Sequence, residues 1–229
     1  MNQKASLRAG VQATASLPNP KGPDTDHIDD TIFGELVVHY RKLARRAEDI
    51  VVHQICSEVE SGLKAHLSSS ASTQETPEDL AVSQTLLPSL GLLSTHLTYL
   101  RAALAQNMLT TIYRRIVSRL SEHILQREIL YRGNITLREG KTVHAECELW
   151  IETCQSALAG SLRGGLNRVE APWLRLLEAG RLIAAEGELW DKVVETTFGK
   201  SNDEEWERVV GVTEMSREEV SRLLRRRQN

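Results

Sequence analysis

The stretch Thr110–Asn134, TTIYRRIVSRLSEHILQREILYRGN, places five arginines beside a regular series of apolar residues. The apolar residues recur every three or four positions, and they are Leu109, Ile112, Ile116, Leu120 and Ile124. This period predicts an amphipathic α-helix. Gly133 and Asn134 then break the pattern, as a left-handed C-cap or a turn would. Such a helix could be a nucleic-acid contact, part of an active site, or one wall of a helical bundle.

Bulk composition weakens the first of these interpretations. The chain has 229 residues, a formal net charge of −3 and 4% aromatic residues. A net negative charge gives no overall attraction to phosphate backbones or to anionic lipid. The low content of aromatic residues favours helices over sheets. No apolar run approaches the roughly 20 residues that a membrane span requires, and the N-terminus lacks the apolar core of a secretory signal.

The first half of the chain predicts an arm, a long helix and a linker. Residues 1–27 are rich in Ser, Ala, Pro and Gly without a helical period, which predicts a disordered arm. From Asp30 an apolar stripe with steps of three and four predicts a helix of about nine turns, a rod-like element. Its members are Phe33, Leu36, Val37, Tyr40, Leu43, Ala47, Ile50, Val51, Ile55, Val59 and Leu63. The polar residues 68–76 predict a flexible linker, and Thr76-Pro77 predicts the start of the next helix.

Capping signals predict where the later helices begin and end. Pro88 interrupts or restarts a helix that continues with leucine spacing to Leu104. A further helix begins near Thr136, and another is predicted from Pro172 to Phe198 with Gly199 as its C-cap. Asn202 caps a short helix, and Ser216 with Glu219 matches a capping box before the last one. Because no stretch alternates with period two, we expect an all-α protein, an elongated antiparallel helical bundle over residues 28–229.

The sequence contains no complete motif for catalysis, for cofactor binding or for metal binding. HAECE (144–148) matches half of a zinc-deaminase signature, but the Pro-Cys-x-x-Cys half is missing. Cys147 and Cys154 lie on the apolar stripe of their helix, where Cys behaves as a small hydrophobic residue. The scattered histidines, including His66 and His123, lack metal-binding spacing. We therefore expect core cysteines, reduced thiols in the cytosol, no cofactor, no metal and no enzymatic activity.

The arginines of the opening stretch are the candidate contact residues. Arg114, Arg115 and Arg119 are most simply part of a solvated face, since Glu122 and Glu128 are interspersed with them. A contact with a partner protein comes next, because Arg is enriched at interaction hot spots. Nucleic-acid binding comes third, with the basic run Arg225–Arg227 as a possible tail.

The order of these signals resembles the C-terminal part of the RINT/Tip subunit family. Residues 86–151 carry a Leu/Ser-rich helix followed by a helix of the family's aromatic-Arg pattern. The matching positions are Tyr113, Arg114, Ile116, Leu120, Ile124, Ile129 and Leu130, then the helix Val143 to Leu158, then Trp173, Leu174, Leu177, Glu178 and Ala179. The similarity covers roughly residues 80 to 200.

The resemblance implies a fold and a function. RINT/Tip proteins are subunits of the Dsl-type (NRZ) vesicle tether at the endoplasmic reticulum, built as helical rods of the exocyst-like class. It implies a non-catalytic scaffold that helps to capture Golgi-derived COPI vesicles, with other tether subunits and SNAREs as partners and no direct membrane or nucleic-acid contact. Family members are longer and join the neighbouring subunit through N-terminal helices. This chain lacks that part, so we expect an excised piece, a fragment or a truncated gene model, and we do not carry that pairing over. The alternative is a helical adaptor of another pathway.

Overall fold

The computed structural model describes residues 33–69, 83–162, 166–200 and 202–228. Within these residues every extended regular element is helical, and β-type pairing is confined to one parallel bridge between Ile135 and Arg227. The helices are α1 (Gly34–Ser69), α2 (Leu87–Ala103), α3 (Gln106–Ile124), α4 (Leu137–Leu158), α5 (Leu166–Glu170), α6 (Leu174–Ala184), α7 (Gly187–Phe198), α8 (Asp203–Val210) and α9 (Arg217–Leu224). A π-helix, Leu125–Leu130, follows α3 directly, and a 3-10 turn, Ala171–Trp173, precedes α6. The prediction of an all-α helical bundle is confirmed.

The chain divides into two compact units, residues 1–45 and 46–229. In the first unit, the described residues form the beginning of α1 and expose large apolar side chains. Phe33, Leu36, Tyr40 and Leu43 are 67%, 53%, 70% and 59% exposed. Their steps of three, four and three place them on one side of the helix. The apolar stripe of the predicted rod-like helix is therefore not buried in this part of α1.

The second unit contains the hydrophobic core. From Val52 onward α1 buries one side, and α2, α3 and α4 each contribute a buried stripe. Those of α3 and α4 follow the predicted series, including Ile116, Leu120 and Trp150. Cys147 and Cys154 are also buried, which confirms their interpretation as core residues. Burial of one stripe per helix supplies most of the stability of such a bundle.

Helix α4 packs against both α2 and α6. Two glycines allow α4 and α6 to come close. A Cβ atom on Gly140 would lie 2.5 Å from the carbonyl oxygen of Ile183, and one on Gly180 would lie 3.3 Å from Sγ of Cys147. Beside this contact the rings of Trp150 and Trp173 stack with centroids 5.8 Å apart. The pair fixes the 3-10 turn before α6 against α4.

The helix starts predicted near Pro88, Thr136, Asn202 and Ser216 are confirmed. Pro88 occupies the first turn of α2. Thr136 forms a capping box with Glu139 at the start of α4, and Ser216 forms one with Glu219 at the start of α9. The Asn202 side chain accepts a hydrogen bond from the backbone N–H of Glu205 at the start of α8. These side chains satisfy backbone N–H groups that have no partner within the helix.

Two helix ends differ from the prediction. The segment predicted as one helix from Pro172 to Phe198 is divided at Ala185, whose backbone is extended, and Gly187 adopts a φ of +60°. Glycine takes this left-handed conformation without a Cβ clash, so the chain can turn there. Gly133 does not have a left-handed φ, so the left-handed C-cap is wrong. α3 continues into the π-helix, which ends at Leu130, and a bend at residues 131–133 then breaks the helix, as the alternative of a turn predicted.

Some predictions fall outside the described residues. These are the arm at residues 1–27, the helix start at Thr76-Pro77, and the linker from residue 70 to residue 76. Residues 68 and 69, which the linker prediction included, form the last positions of α1.

Candidate functional site

Two of the three predicted contact arginines are engaged within the second unit. Arg115 forms ion pairs with Asp49 and, at 3.4 Å, with Glu48. Arg119 donates to Glu60 at 3.0 Å and lies 3.2 Å from Nδ1 of His53. Their acidic partners all lie on α1, so these arginines hold α3 against α1.

Arg114 differs from its two neighbours. It is exposed and forms no ion pair or hydrogen bond with the described part of the chain. Its guanidinium is therefore available to an external acceptor. Contact of any of these arginines with a partner stays a prediction.

The C-terminal arginines pack on aromatic rings. The guanidinium carbon of Arg227 lies 3.8 Å from the ring centroid of Trp190, and that of Arg225 lies 5.6 Å from the centroid of Phe198. Arg227 also donates to the carbonyl of Ala185. The bridge to Ile135 holds the same segment. These contacts favour a structural role for the predicted basic tail.

Three buried ionisable residues meet in the core of the second unit: His66, Glu128 and Glu146. His66 comes from the last turns of α1, Glu128 from the π-helix and Glu146 from α4. Nε2 of His66 lies 3.3 Å from Oε1 of Glu128 and 3.3 Å from Oε2 of Glu146. The three residues are only 2%, 4% and 3% exposed. We call them the buried triad.

The segment before α2 orients the triad. Oγ1 of Thr85 lies 2.9 Å from Nδ1 of His66 and 2.6 Å from Oγ of Ser83. The backbone N–H of Ser83 donates to Oε1 of Glu146 at 3.3 Å. Because Nδ1 is occupied by the Thr85 hydroxyl, Nε2 is the ring nitrogen that faces the two carboxylates.

The π-helix determines where Glu128 points. In its wider turn Tyr131 donates its N–H to the carbonyl of Gln126 at 2.8 Å, five residues earlier. Glu128 is buried here together with Leu125 and Ile129. Single π-turns inside helices occur frequently at functional sites. The earlier interpretation of Glu128 as part of a solvated face is therefore wrong.

Helical spacing could have identified all three residues. Glu128 stands four positions after Ile124, the next step of the α3 stripe. His66 stands three after Leu63 in the buried stripe of α1, and Glu146 stands four before Trp150 on α4. Each is thus an ionisable residue at a position whose spacing predicts burial. Their meeting could not be predicted, because it depends on how distant helices pack. HAECE, set aside as an incomplete motif, supplies Glu146.

Burial and the attraction between opposite charges have opposing effects on the pKa values of the triad. Burial by itself lowers the pKa of His66, but the Glu128 and Glu146 carboxylates outweigh it and raise that pKa to about 10. Burial raises the pKa of Glu128, which His66 partly opposes. Burial also raises the pKa of the Cys147 thiol well above its ordinary value, so this thiol is not activated as a nucleophile. The triad is suited to holding a positive charge between two carboxylates.

An apolar groove elsewhere in the second unit lacks such chemistry. A groove near α6, α7 and α8 is lined mainly by aliphatic side chains, including Leu189 and Val193. Its one charged residue, Arg181, donates to the carbonyls of Val210 and Gly211 at 2.9 and 2.6 Å. These carbonyls end α8, so the contact is a structural cap.

Comparison with known proteins identifies a family. No curated protein and no solved structure matches the chain. The model of the RINT-1/TIP-1 family matches residues 2–227, a wider range than residues 80–200, which carry the resemblance. Since nearly the whole sequence is matched, the chain belongs to the RINT-1/TIP-1 family of tethering-complex subunits.

Proposed function

We propose that this chain is a non-catalytic subunit, or part of one, of a vesicle-tethering complex in Golgi-to-ER retrograde transport. In this role it is a scaffold at the cytoplasmic face of the endoplasmic reticulum and contacts other tether subunits and SNAREs. Family membership supports the tethering role. Among the described residues no helix is long and apolar enough to cross a membrane, and we propose that attachment is peripheral, through partners.

The exposed apolar side of α1 is the observation that carries the proposal. Four large side chains, spaced as in a coiled-coil seam, are more than half exposed at the start of this helix: Phe33, Leu36, Tyr40 and Leu43. An amphipathic helix of a partner can bury such a seam by knobs-into-holes packing. Burial of apolar surface contributes about 25 cal/mol per Å², so a partner helix gains affinity there.

The nucleic-acid alternative loses support from the ion pairs. Arg115 and Arg119 are neutralised by acids of α1, and Arg225 and Arg227 lie over aromatic rings. Most of the arginines that suggested nucleic-acid binding are thus engaged within the chain, which leaves fewer of them to replace the counterions of a phosphate backbone. The second alternative is a helical adaptor of another pathway. It would bind partners through the same kind of exposed helix surface, but those partners would lie away from the endoplasmic reticulum. Proximity labelling in cells distinguishes the two by the proteins that are labelled.

The test is capture of purified tether subunits and SNARE N-terminal regions by the immobilised chain. We expect the double variant Leu36→Asp/Leu43→Asp to lose capture and to keep its circular dichroism spectrum, because both side chains are exposed. Leu189→Asp on α7 is the matched control, since Leu189 is 50% exposed and lies outside the seam. If the folded wild-type chain retains none of these proteins, the proposal fails.

Arg114 provides a second, independent variant. Because Arg114 is exposed without an ion pair in the described residues, Arg114→Glu tests binding without breaking an internal contact. We expect weaker capture with an unchanged unfolding midpoint. Unchanged capture would remove Arg114 from the proposed surface.

A further inference from the structure

The buried triad has the donor set and the spacing of a metal site. It offers one imidazole nitrogen and two carboxylate oxygens, all within 4.8 Å of one another. Ligand atoms bound at about 2.0–2.1 Å to a tetrahedral Zn²⁺ lie about 3.3 Å apart. Nε2 of His66 is 3.3 Å from an oxygen of each carboxylate. The imidazole nitrogen therefore already stands at the separation from each carboxylate that a tetrahedral ion requires.

Glu128 supplies an independent observation. Its Oε1 atom is buried and accepts no hydrogen bond, although it lies 3.3 Å from Nε2 of His66. That distance fits an ion pair, and the alignment does not complete a hydrogen bond. A buried acceptor without a hydrogen bond is destabilising, and more so when it is charged. Because Oε1 faces the centre of the triad, a cation there satisfies it.

Charge balance also favours a divalent ion. Two ionised carboxylates and a neutral imidazole carry a charge of −2, and burial makes uncompensated charge expensive. A proton on His66 offsets half of it, whereas a divalent cation offsets all of it. The nearby Arg132 guanidinium pairs with Glu139 at 2.6 Å. The charge of Arg132 is therefore shared between Glu139 and the triad, where it also acts on Glu128.

The surrounding contacts resemble those that orient metal ligands. The ring nitrogen of a metal-binding His that does not bind the ion usually meets a hydrogen-bonding group. Nδ1 of His66 meets the Thr85 hydroxyl at 2.9 Å, and Oε1 of Glu146 accepts the N–H of Ser83 at 3.3 Å. With these partners in place, one ligand atom from each of His66, Glu128 and Glu146 lies within 4.8 Å of the other two.

We propose that His66, Glu128 and Glu146 form a structural site for a divalent transition metal, with Zn²⁺ as the ion. The ion joins α1, the π-helix and α4, which are distant in sequence. Its role is to stabilise the fold, and water completes the coordination. The proposal does not depend on the tethering function.

The test uses the whole chain, freed of metal with a chelator and then loaded with ZnCl₂. Elemental analysis after gel filtration measures stoichiometry, thermal unfolding measures stabilisation, and X-ray absorption identifies the ligand atoms. We expect one Zn²⁺ per chain, a nitrogen and oxygen shell, and a rise of several degrees in the unfolding midpoint. Glu128→Gln and Glu146→Gln should lose the ion and this rise. Glu58→Gln is the matched control, because Glu58 pairs with His96 at 2.7 Å on an exposed part of α1.

Zinc binding by the wild-type chain tests the proposal even if a triad variant fails to fold. Absence of bound zinc, or a shell containing sulfur from the cysteines, overturns the proposal. Equal retention of zinc by wild-type and both folded Gln variants overturns it as well. In each of these cases the triad is a cluster of ionisable residues that binds protons and no metal ion.

Discussion

Gly140 on α4 lies against the backbone carbonyl of Ile183 on α6, and a Cβ atom at this position would stand 2.5 Å from that oxygen. Real Cβ atoms essentially never approach an oxygen so closely, and the obstacle is backbone rather than a flexible side chain. The absence of a side chain at Gly140 thus sets the distance between the two helices.

We expect Gly140→Ala to destabilise the protein by about 1–3 kcal/mol, the usual cost of forcing extra volume into a packed core. Urea unfolding followed by circular dichroism measures the change. Gly91→Ala is the control, because a Cβ atom there meets nothing within 4 Å. In α2 that substitution should stabilise by about 0.5–1 kcal/mol. Equal effects of the two variants would contradict the close approach.

Removal of the imidazole from the buried triad should be strongly destabilising. His66→Ala leaves Glu128 and Glu146 facing each other with no positive group between them, and breaking a buried ion pair costs about 3–5 kcal/mol. Denaturant unfolding in the presence of a chelator tests this without metal. His96→Ala, which removes a partly exposed His–Glu pair, should cost about 0–1 kcal/mol. A small loss for His66→Ala would show that the triad is not coupled to folding.

The two sides of α3 should differ in their sensitivity to truncation. Ile116 is fully buried, and Ile116→Ala should cost about 2–5 kcal/mol. The Arg115 side chain is 38% exposed and pairs at the surface with Glu48 and Asp49. Arg115→Ala should cost about 0.2–1 kcal/mol, less at high salt. Thermal and denaturant unfolding give both values, and small equal losses would contradict the assignment of α3 as a core helix.

Glu219 should make stability depend on pH in the acid range. Burial alone raises the pKa of Glu219, but hydrogen bonds from Ser216 and the charge of Arg175 outweigh it, so the pKa is lowered. A lowered folded pKa contributes stability above the unfolded value of about 4.3, and that contribution disappears as pH falls through the folded value.

Glu219→Ala should therefore cost about 0.5–2 kcal/mol at pH 7, the usual value of a cap, and less below about pH 4. Unfolding midpoints measured from pH 3 to pH 7 test the difference between variant and wild type. Glu218→Ala is the matched control, since the Glu218 side chain is 87% exposed. A difference that is independent of pH would argue against an ionised cap.

Local signals predicted far more of this fold than of its buried site. Capping boxes such as Thr136 with Glu139 depend on residues three positions apart, so they can be recognised in the sequence. The division near Gly187 was missed because helical spacing continues across it. The exposure of Leu36 and Leu43 was missed because spacing indicates a shared face and not whether that face is covered. The meeting of His66 with Glu128 is tertiary, since 62 residues separate them in the sequence.

Tyr113, one of the positions that carried the family resemblance, connects α3 to α5 through one buried hydrogen bond. Its hydroxyl donates to the carbonyl of Val169 at 2.7 Å, and the tyrosine is fully buried. Burial raises the phenol's pKa far above its ordinary value, so the hydroxyl stays a donor.

Tyr113→Phe preserves the ring and leaves the Val169 carbonyl without this donor, which should cost about 1–3 kcal/mol. Denaturant unfolding measures the loss, and Tyr99→Phe on the exposed side of α2 is the control, because Tyr99 is 70% exposed. Hydrogen exchange adds a local test, since α5 should lose protection before α4 does. A neutral Tyr113→Phe would mean that the ring alone, and not its hydroxyl, holds α5 in place.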